Sequence, residues 1–242
     1  MKREYQHWFS HRLEREMELL VFGHGGAKVL VFPTRDGRFY ESEDIGIIAS
    51  VAHKIEAGQL QLFCVDNLAH ETFYCFWRHP AERIRRHILY EEYIIHEVLP
   101  MMDAMNDHYC RIAHGCSLGA YYAANIAFRH PHLFRKLAAF SGRYDPTESM
   151  ADFNDLFDGY FDDNIYFHSP LRFLAKLECP MILAELRRMD ILFVIGREDP
   201  FHDNNMRLCR ILDDKRIPYR LHEWDGRAHR GRYWRQMAPL YL

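Results

Sequence analysis

The sequence has no run of about eighteen apolar residues, so no membrane-spanning helix is expected. It has no CxxC pair either. Its six cysteines (Cys64, Cys75, Cys110, Cys116, Cys179 and Cys209) are scattered, and several lie in apolar runs such as LQLFCVD. That pattern fits small buried hydrophobes in a reducing compartment, not a disulfide framework. A strong excess of one charge is also missing. The formal net charge is −3, so no nucleic-acid partner is expected. Arg83, Arg85 and Arg86 are interleaved with acids and apolar residues and read as a solvated helix face. The opening stretch MKREYQHWFSHRLEREMELL lacks the apolar centre of a secretion signal, and a cytoplasmic location is expected. Sixteen histidines invite a metal reading. However, HETFY, HEVLP and HEWDG each lack the second histidine of the zinc-protease pattern, and no metal site is expected.

What the sequence does have is alternation. Its 242 residues, 48% of them hydrophobic, are enough for the core of one α/β domain, read as residues 1–242 without internal repeats. REYQHWFS and REMELLVFG alternate as strands, and GHGGAK turns the chain into the buried strand VLVFP. SEDIGIIASVAHKIEAG reads as a helix closed by Gly58. LQLFCVD is the next strand, and HPAERIRRHILYEEYIIHEVLPMM is a long amphipathic helix. YCRIAHGCS, FRKLAAFSG, ILFVIG and IPYRLHEWDG follow as strands, separated by helices such as LGAYYAANIAFRH. This order predicts a doubly wound, mostly parallel sheet with helices on both faces and an antiparallel edge at the front. Ligands of such a sheet bind at the carboxyl ends of its strands. Residues 143–189 are too long for a simple connection and predict a small cap-like insertion before the penultimate core strand.

Ser117 lies between Gly115 and Gly119 at a strand-to-helix junction. Gly-x-Ser-x-Gly in that setting is a nucleophile elbow: the serine takes a strained backbone conformation, and larger residues at the glycines would clash. This reading demands an acid and then a histidine further along the chain. Asp199 follows the strand ILFVIG in GREDP, with Glu198 as the competing acid. His229 lies past the Gly226 turn and is preferred to His222, which sits inside a strand pattern, and to His202, which is expected on the following helix. The base would take the serine's proton and the acid would orient its imidazole. Leu118 N–H would be one oxyanion donor, and Arg35 or Thr34, in the loop TRDGRF, the other, with Arg35 favoured.

Together these blocks resemble the α/β-hydrolase esterases, in particular the single-domain bacterial "putative esterase" group, which is similar to S-formylglutathione hydrolases, enterochelin esterases and mycolyltransferases. VLVFPT, GCSLGAYYAANIAFRHP, SGRYD and GREDP carry the likeness over nearly the whole chain. The resemblance implies hydrolysis of small or medium carboxylic esters without a metal or organic cofactor. It places the triad on Ser117, Asp199 and His229. An acyltransferase with the same triad, or a non-catalytic binding module, is the competing reading. One block departs: Ala228 stands where the group has glycine, and Arg230 and Gly231 replace an acidic and an aromatic residue. Arg227, Arg230 and Arg232, with Arg35 and Arg38, then read either as a basic rim favouring an anionic acyl or leaving group or as a solvent-facing cluster. Arg38, Phe39, Cys116, Tyr160 and Phe161 are the candidate substrate contacts, and Phe157, Tyr166 and Phe167 could line the same pocket. Self-association through the aromatic-rich carboxyl terminus is possible for an esterase of this size.

Overall fold

The apolar runs become eight strands of one sheet in the computed structural model, which describes residues 1–150 and 152–242. They are β1 (Arg3–Ser10), β2 (Arg15–Phe22), β3 (Ala27–Phe32), β4 (Leu60–Val65), β5 (Arg111–Cys116), β6 (Lys136–Phe140), β7 (Asp190–Gly196) and β8 (Arg220–Trp224). Their order is β1-β2-β4-β3-β5-β6-β7-β8. β1 and β2 are antiparallel and form the edge, and β2 meets β4 antiparallel. All pairs from β4 through β8 are parallel.

Successive strand residues point to opposite faces, so each run feeds two cores. Leu30, Phe32, Phe63, Val65, Ile191 and Phe193 pack into one. Val29, Val31, Leu62, Cys64, Leu192 and Val194 pack into the other. The helices cover both faces, which explains why the strands read as continuous hydrophobic runs.

The expected helix after β3 is instead three short ones: α1 (Glu41–Asp44), α2 (Ile47–Ser50) and α3 (Ala52–Glu56). Gly46, at φ 81°, breaks the first from the second. The long helix is α4 (Pro80–Tyr93), a π turn (Ile94–Val98) and α5 (Leu99–Met105) in unbroken succession. Pro100 has no amide to give to His96, and its ring crowds that carbonyl. The wider π turn just before it relieves the clash. Arg83 on α4 corrects the reading of a solvated face. It is fully buried, donates to the Leu156 carbonyl at 2.8 Å and pairs with Asp158.

α6 (Leu118–Arg129) follows β5 without a connecting loop. Residues 143–189 carry α7 (Asp163–Phe167), α8 (Pro170–Phe173) and α9 (Pro180–Arg188). Asp162 caps α7 by accepting the Ile165 N–H at 2.9 Å. Ser169 precedes α8 but donates its hydroxyl to the Ile165 carbonyl instead, at 2.8 Å. α10 (His202–Asp214) and α11 (Gly231–Tyr241) complete the chain.

Candidate active site

The end of β5 enters α6 through Ser117 alone, at φ 56° and ψ −120°. A non-glycine residue rarely occupies that region, and such strain gathers at functional sites. Two glycines make the turn possible. A Cβ on Gly115 would lie 2.3 Å from the Gly119 backbone, and one on Gly119 would lie 2.3 Å from the Phe32 carbonyl oxygen at the end of β3. The Ser117 N–H donates to the Phe140 carbonyl at 2.9 Å, tying the elbow to β6.

Two neighbouring loops bring the other groups. After β7, Asp199 is buried and its Oδ1 accepts the Phe201 N–H at 2.9 Å. After β8, the backbone at residues 226–227 crosses the end of β7, where a Cβ on Gly196 would meet the Arg227 carbonyl at 2.2 Å. The Arg197 N–H donates to Trp224 at 2.9 Å and the Glu198 N–H to Gly226 at 3.1 Å, so the two loops are fastened together. His229 is thereby placed with Nδ1 2.7 Å from Asp199 Oδ2 and Nε2 3.0 Å from Ser117 Oγ. Its ring lies between Phe201 and Trp234, with centroids at 5.6 and 5.4 Å. An imidazole that gives Nδ1–H to the carboxylate keeps its Nε2 lone pair for the serine hydroxyl.

The competing residues lie elsewhere. Glu198 is exposed. The His222 ring sits against Tyr241, and His202 pairs with Glu223 at 2.8 Å. Ala228 has φ 47°, in the left-handed region, which is the physical reason a glycine is expected there.

The oxyanion side is partly corrected. Leu118 opens α6, so its N–H lies in the first turn, where the helix offers no acceptor. Thr34 cannot be the second donor, because its N–H is already given to Glu41 Oε2 at 2.7 Å. Burial pushes the Glu41 carboxyl up, and the two Thr34 bonds oppose that rise. Gly37 is needed here because a Cβ would strike the Glu41 carboxylate at 2.3 Å. Asn67 Nδ2 holds the Thr34 carbonyl from the other side, at 2.9 Å. The turn so pinned leaves the Arg35 N–H without a hydrogen-bond partner among the described residues.

A cavity of about 230 Å³ opens above Ser117. Its walls include Phe73, Tyr74, Arg143, Leu156, Phe201 and Trp234. None of the five candidate substrate contacts is among them. Arg38 is held by Asp66 and Glu18, at 2.7 and 2.6 Å. Phe39 packs against Tyr5 and Tyr40. Cys116 points into the opposite core. Tyr160 lies edge-on to His79, and half-exposed Phe161 carries Arg172 over its ring. Phe157 is buried behind Phe73, while Tyr166 and Phe167 meet edge to face outside the cavity. Arg227, Arg230 and Arg232 are exposed and do not line the cavity. The wall residues were missed because they come from separate segments. Phe201 and Trp234, however, lie two and five residues beyond Asp199 and His229.

One other cluster has donors of the kind that hold metals: His87, Glu91 and His168, all buried, with ligand atoms within 4.8 Å of one another. Both Glu91 oxygens are already engaged, by Asn125 at 2.9 Å and by Arg129 and His130 at 2.9 and 3.1 Å. The Arg129 guanidinium stands where it would repel a cation, so the cluster fits a brace between α4, α6 and α7 better than a metal site.

The sheet, the elbow and the crevice at the strand ends define an α/β hydrolase. The chain belongs to the family described as "Putative esterase", whose model matches residues 10–238. Membership of that family makes it a carboxylic ester hydrolase. Among solved structures it is similar to a ferulic acid esterase at 15% identity, over 99% of this chain and 95% of that one, with a TM-score of 0.76. It is also similar to an S-formylglutathione hydrolase from Staphylococcus aureus, at 15% identity over 99% and 96%, with a TM-score of 0.75. A third, an esterase from Pyrobaculum calidifontis, is 12% identical over 99% and 82%, with a TM-score of 0.67. No curated protein matches the chain. Among the described residues no helix is long and apolar enough to cross a membrane.

Proposed function

We propose that the protein hydrolyses small carboxylic esters through an acyl-enzyme on Ser117. The observation that carries this reading is His229, which reaches Asp199 at 2.7 Å and Ser117 Oγ at 3.0 Å beside a cavity. Ser117 Oγ attacks the ester carbonyl while His229 Nε2 takes its proton, and Asp199 holds the imidazole and offsets its new charge. The negative oxygen of the tetrahedral intermediate accepts the N–H groups of Leu118 and Arg35, the first aided by the α6 dipole. Collapse expels the alcohol, to which His229 returns the proton. A water activated by the same nitrogen then releases the acid. The cavity of about 230 Å³ lies below the range usual for drug-sized ligands and suits short acyl groups.

The test is p-nitrophenyl ester turnover, acetate to octanoate, by the wild type and by Ser117→Ala. The expected result is a burst of p-nitrophenol with short acyl chains that Ser117→Ala abolishes. Equal turnover by the variant refutes the reading. An acyl-enzyme that forms but is resolved only by an added alcohol assigns the same triad to acyl transfer.

A further inference from the structure

Arg143 leaves β6 at its carboxyl end and is 7% exposed, yet it lines the cavity that holds Ser117 and His229. Its guanidinium is held by backbone carbonyls: Nε donates to Asp145 at 3.2 Å, and Nη2 donates to Pro146 at 3.2 Å, to Asn154 at 2.8 Å and to Glu148. It has no carboxylate partner among the described residues. The acids around it are committed elsewhere. Asp145 pairs with Arg172 at 2.9 Å and accepts from Thr147. Glu148 takes Asn204 at 2.9 Å and also Arg207. Asp155 accepts the N–H groups of Phe157 and Gly159 at 2.7 and 2.8 Å. Asp36, the acid of the cavity wall, is paired with Arg35 at 2.9 Å.

The result is a buried cation without a counterion, facing a small and otherwise largely apolar chamber. Burial of a charge is costly unless it is paired, and carbonyl dipoles offset only part of that cost. Nη1 makes none of those carbonyl bonds, so its hydrogens remain for a charge-assisted contact with a carboxylate. We propose that Arg143 makes this a site for esters that carry a second, free carboxylate, on the acyl or the alcohol side, and that this carboxylate pairs with Arg143 when the ester carbonyl lies over Ser117. The inference rests on the triad reading above. Arg143 is a specificity residue in it, and the reaction at Ser117 is unchanged.

The test uses two matched pairs. On the acyl side they are p-nitrophenyl hydrogen glutarate and its methyl ester. On the alcohol side they are 3-carboxyphenyl butyrate and its methyl ester. In the wild type at least one pair is expected to favour the carboxylate member by tenfold or more in kcat/KM, mainly through KM. The side on which this appears identifies the acyl or the alcohol arm. The preference is expected to collapse in Arg143→Gln and to survive in part in Arg143→Lys. Because Arg143 also braces its loop, calorimetric binding of the same compounds to Ser117→Ala, with Arg143 intact, provides an independent reading. Tighter binding of the carboxylate member there supports the proposal even if the wild type turns over neither compound, and in that case the triad reading alone falls. Neutral esters favoured or equal in both pairs, in turnover and in binding, overturn the proposal and leave the triad standing if Ser117→Ala is inactive.

Discussion

Two regions of this molecule combine histidine with a carboxylate, and they are built in opposite ways. At the strand ends, His229 stands between Asp199 and Ser117 with 15% of its side chain exposed to the cavity. In the interior, His87 and His168 flank Glu91, and all three are buried. The second group has more interactions but no open face. Burial lowers the His168 imidazole to about 4. Glu91 is pushed up by burial, yet the His130 bond and the Arg129 charge bring it to about 2. These shifts keep the histidine neutral and the carboxylate charged, a static lock. The difference is access. An imidazole does chemistry when one nitrogen is held and the other faces a reactant, and it does structural work when both are enclosed.

Substitutions that swap these behaviours would break the comparison. The largest effect is expected for Ser117→Ala, with a loss of three or more orders of magnitude in kcat, roughly as when a triad member is removed elsewhere, and with little change in melting temperature. Stopped-flow turnover and calorimetry check both halves. Glu91→Ala should do the reverse. It leaves Arg129 without its buried partner and is expected to cost about 3–5 kcal/mol of stability by urea unfolding. If it cuts turnover per folded molecule as deeply as Ser117→Ala does, the two regions are not separate. Gly119→Ala falls between them. Its Cβ meets backbone at β3, so the elbow must shift, and a 1 Å shift of the serine is worth about a hundredfold in rate.

Acidification sharpens the contrast further. Burial lowers both His114 and His168 from 6.5 to about 4. A histidine depressed in the folded state contributes stability that is complete above its unfolded value and is lost as pH falls toward the folded one. Unfolding free energy is therefore expected to be flat above pH 6.5 and to fall between 6.5 and 4, with His168→Asn flattening part of that slope. Chemical denaturation across this window checks it, and a slope unchanged in the variant contradicts it. The smallest effect is expected for Ala228→Gly. Relief of the positive φ is offset by chain entropy and a lost buried methyl, for a net change within about 1 kcal/mol in thermal melts.

Much of the candidate site's geometry was legible because it is local. The glycines at 115 and 119 announce the turn, and the loops after ILFVIG and RLHEW can deliver only a few residues to it. The strands were legible for the same reason, since alternation and apolar runs are short-range patterns. The cavity walls were not, because Phe73, Arg143 and Leu156 meet only through tertiary packing. Arg143 did leave a trace in SGRYD, a basic residue at the carboxyl end of a core strand, where this fold places its ligands. The aromatic run YFDDNIYF misled in the other direction. Its rings pack on neighbours or face solvent, and aromatic content alone does not say which way a ring points. Thr34 failed for a reason that only the fold reveals, a glutamate seven residues on that takes its amide.

The most direct measurement is peptide mass spectrometry of the fluorophosphonate adduct in the wild type and in His229→Gln. The account predicts a single adduct on Ser117 that forms rapidly in the wild type and is reduced by several orders of magnitude in rate in the variant. An adduct on another residue, or equal labelling of Ser117 without His229, would contradict it.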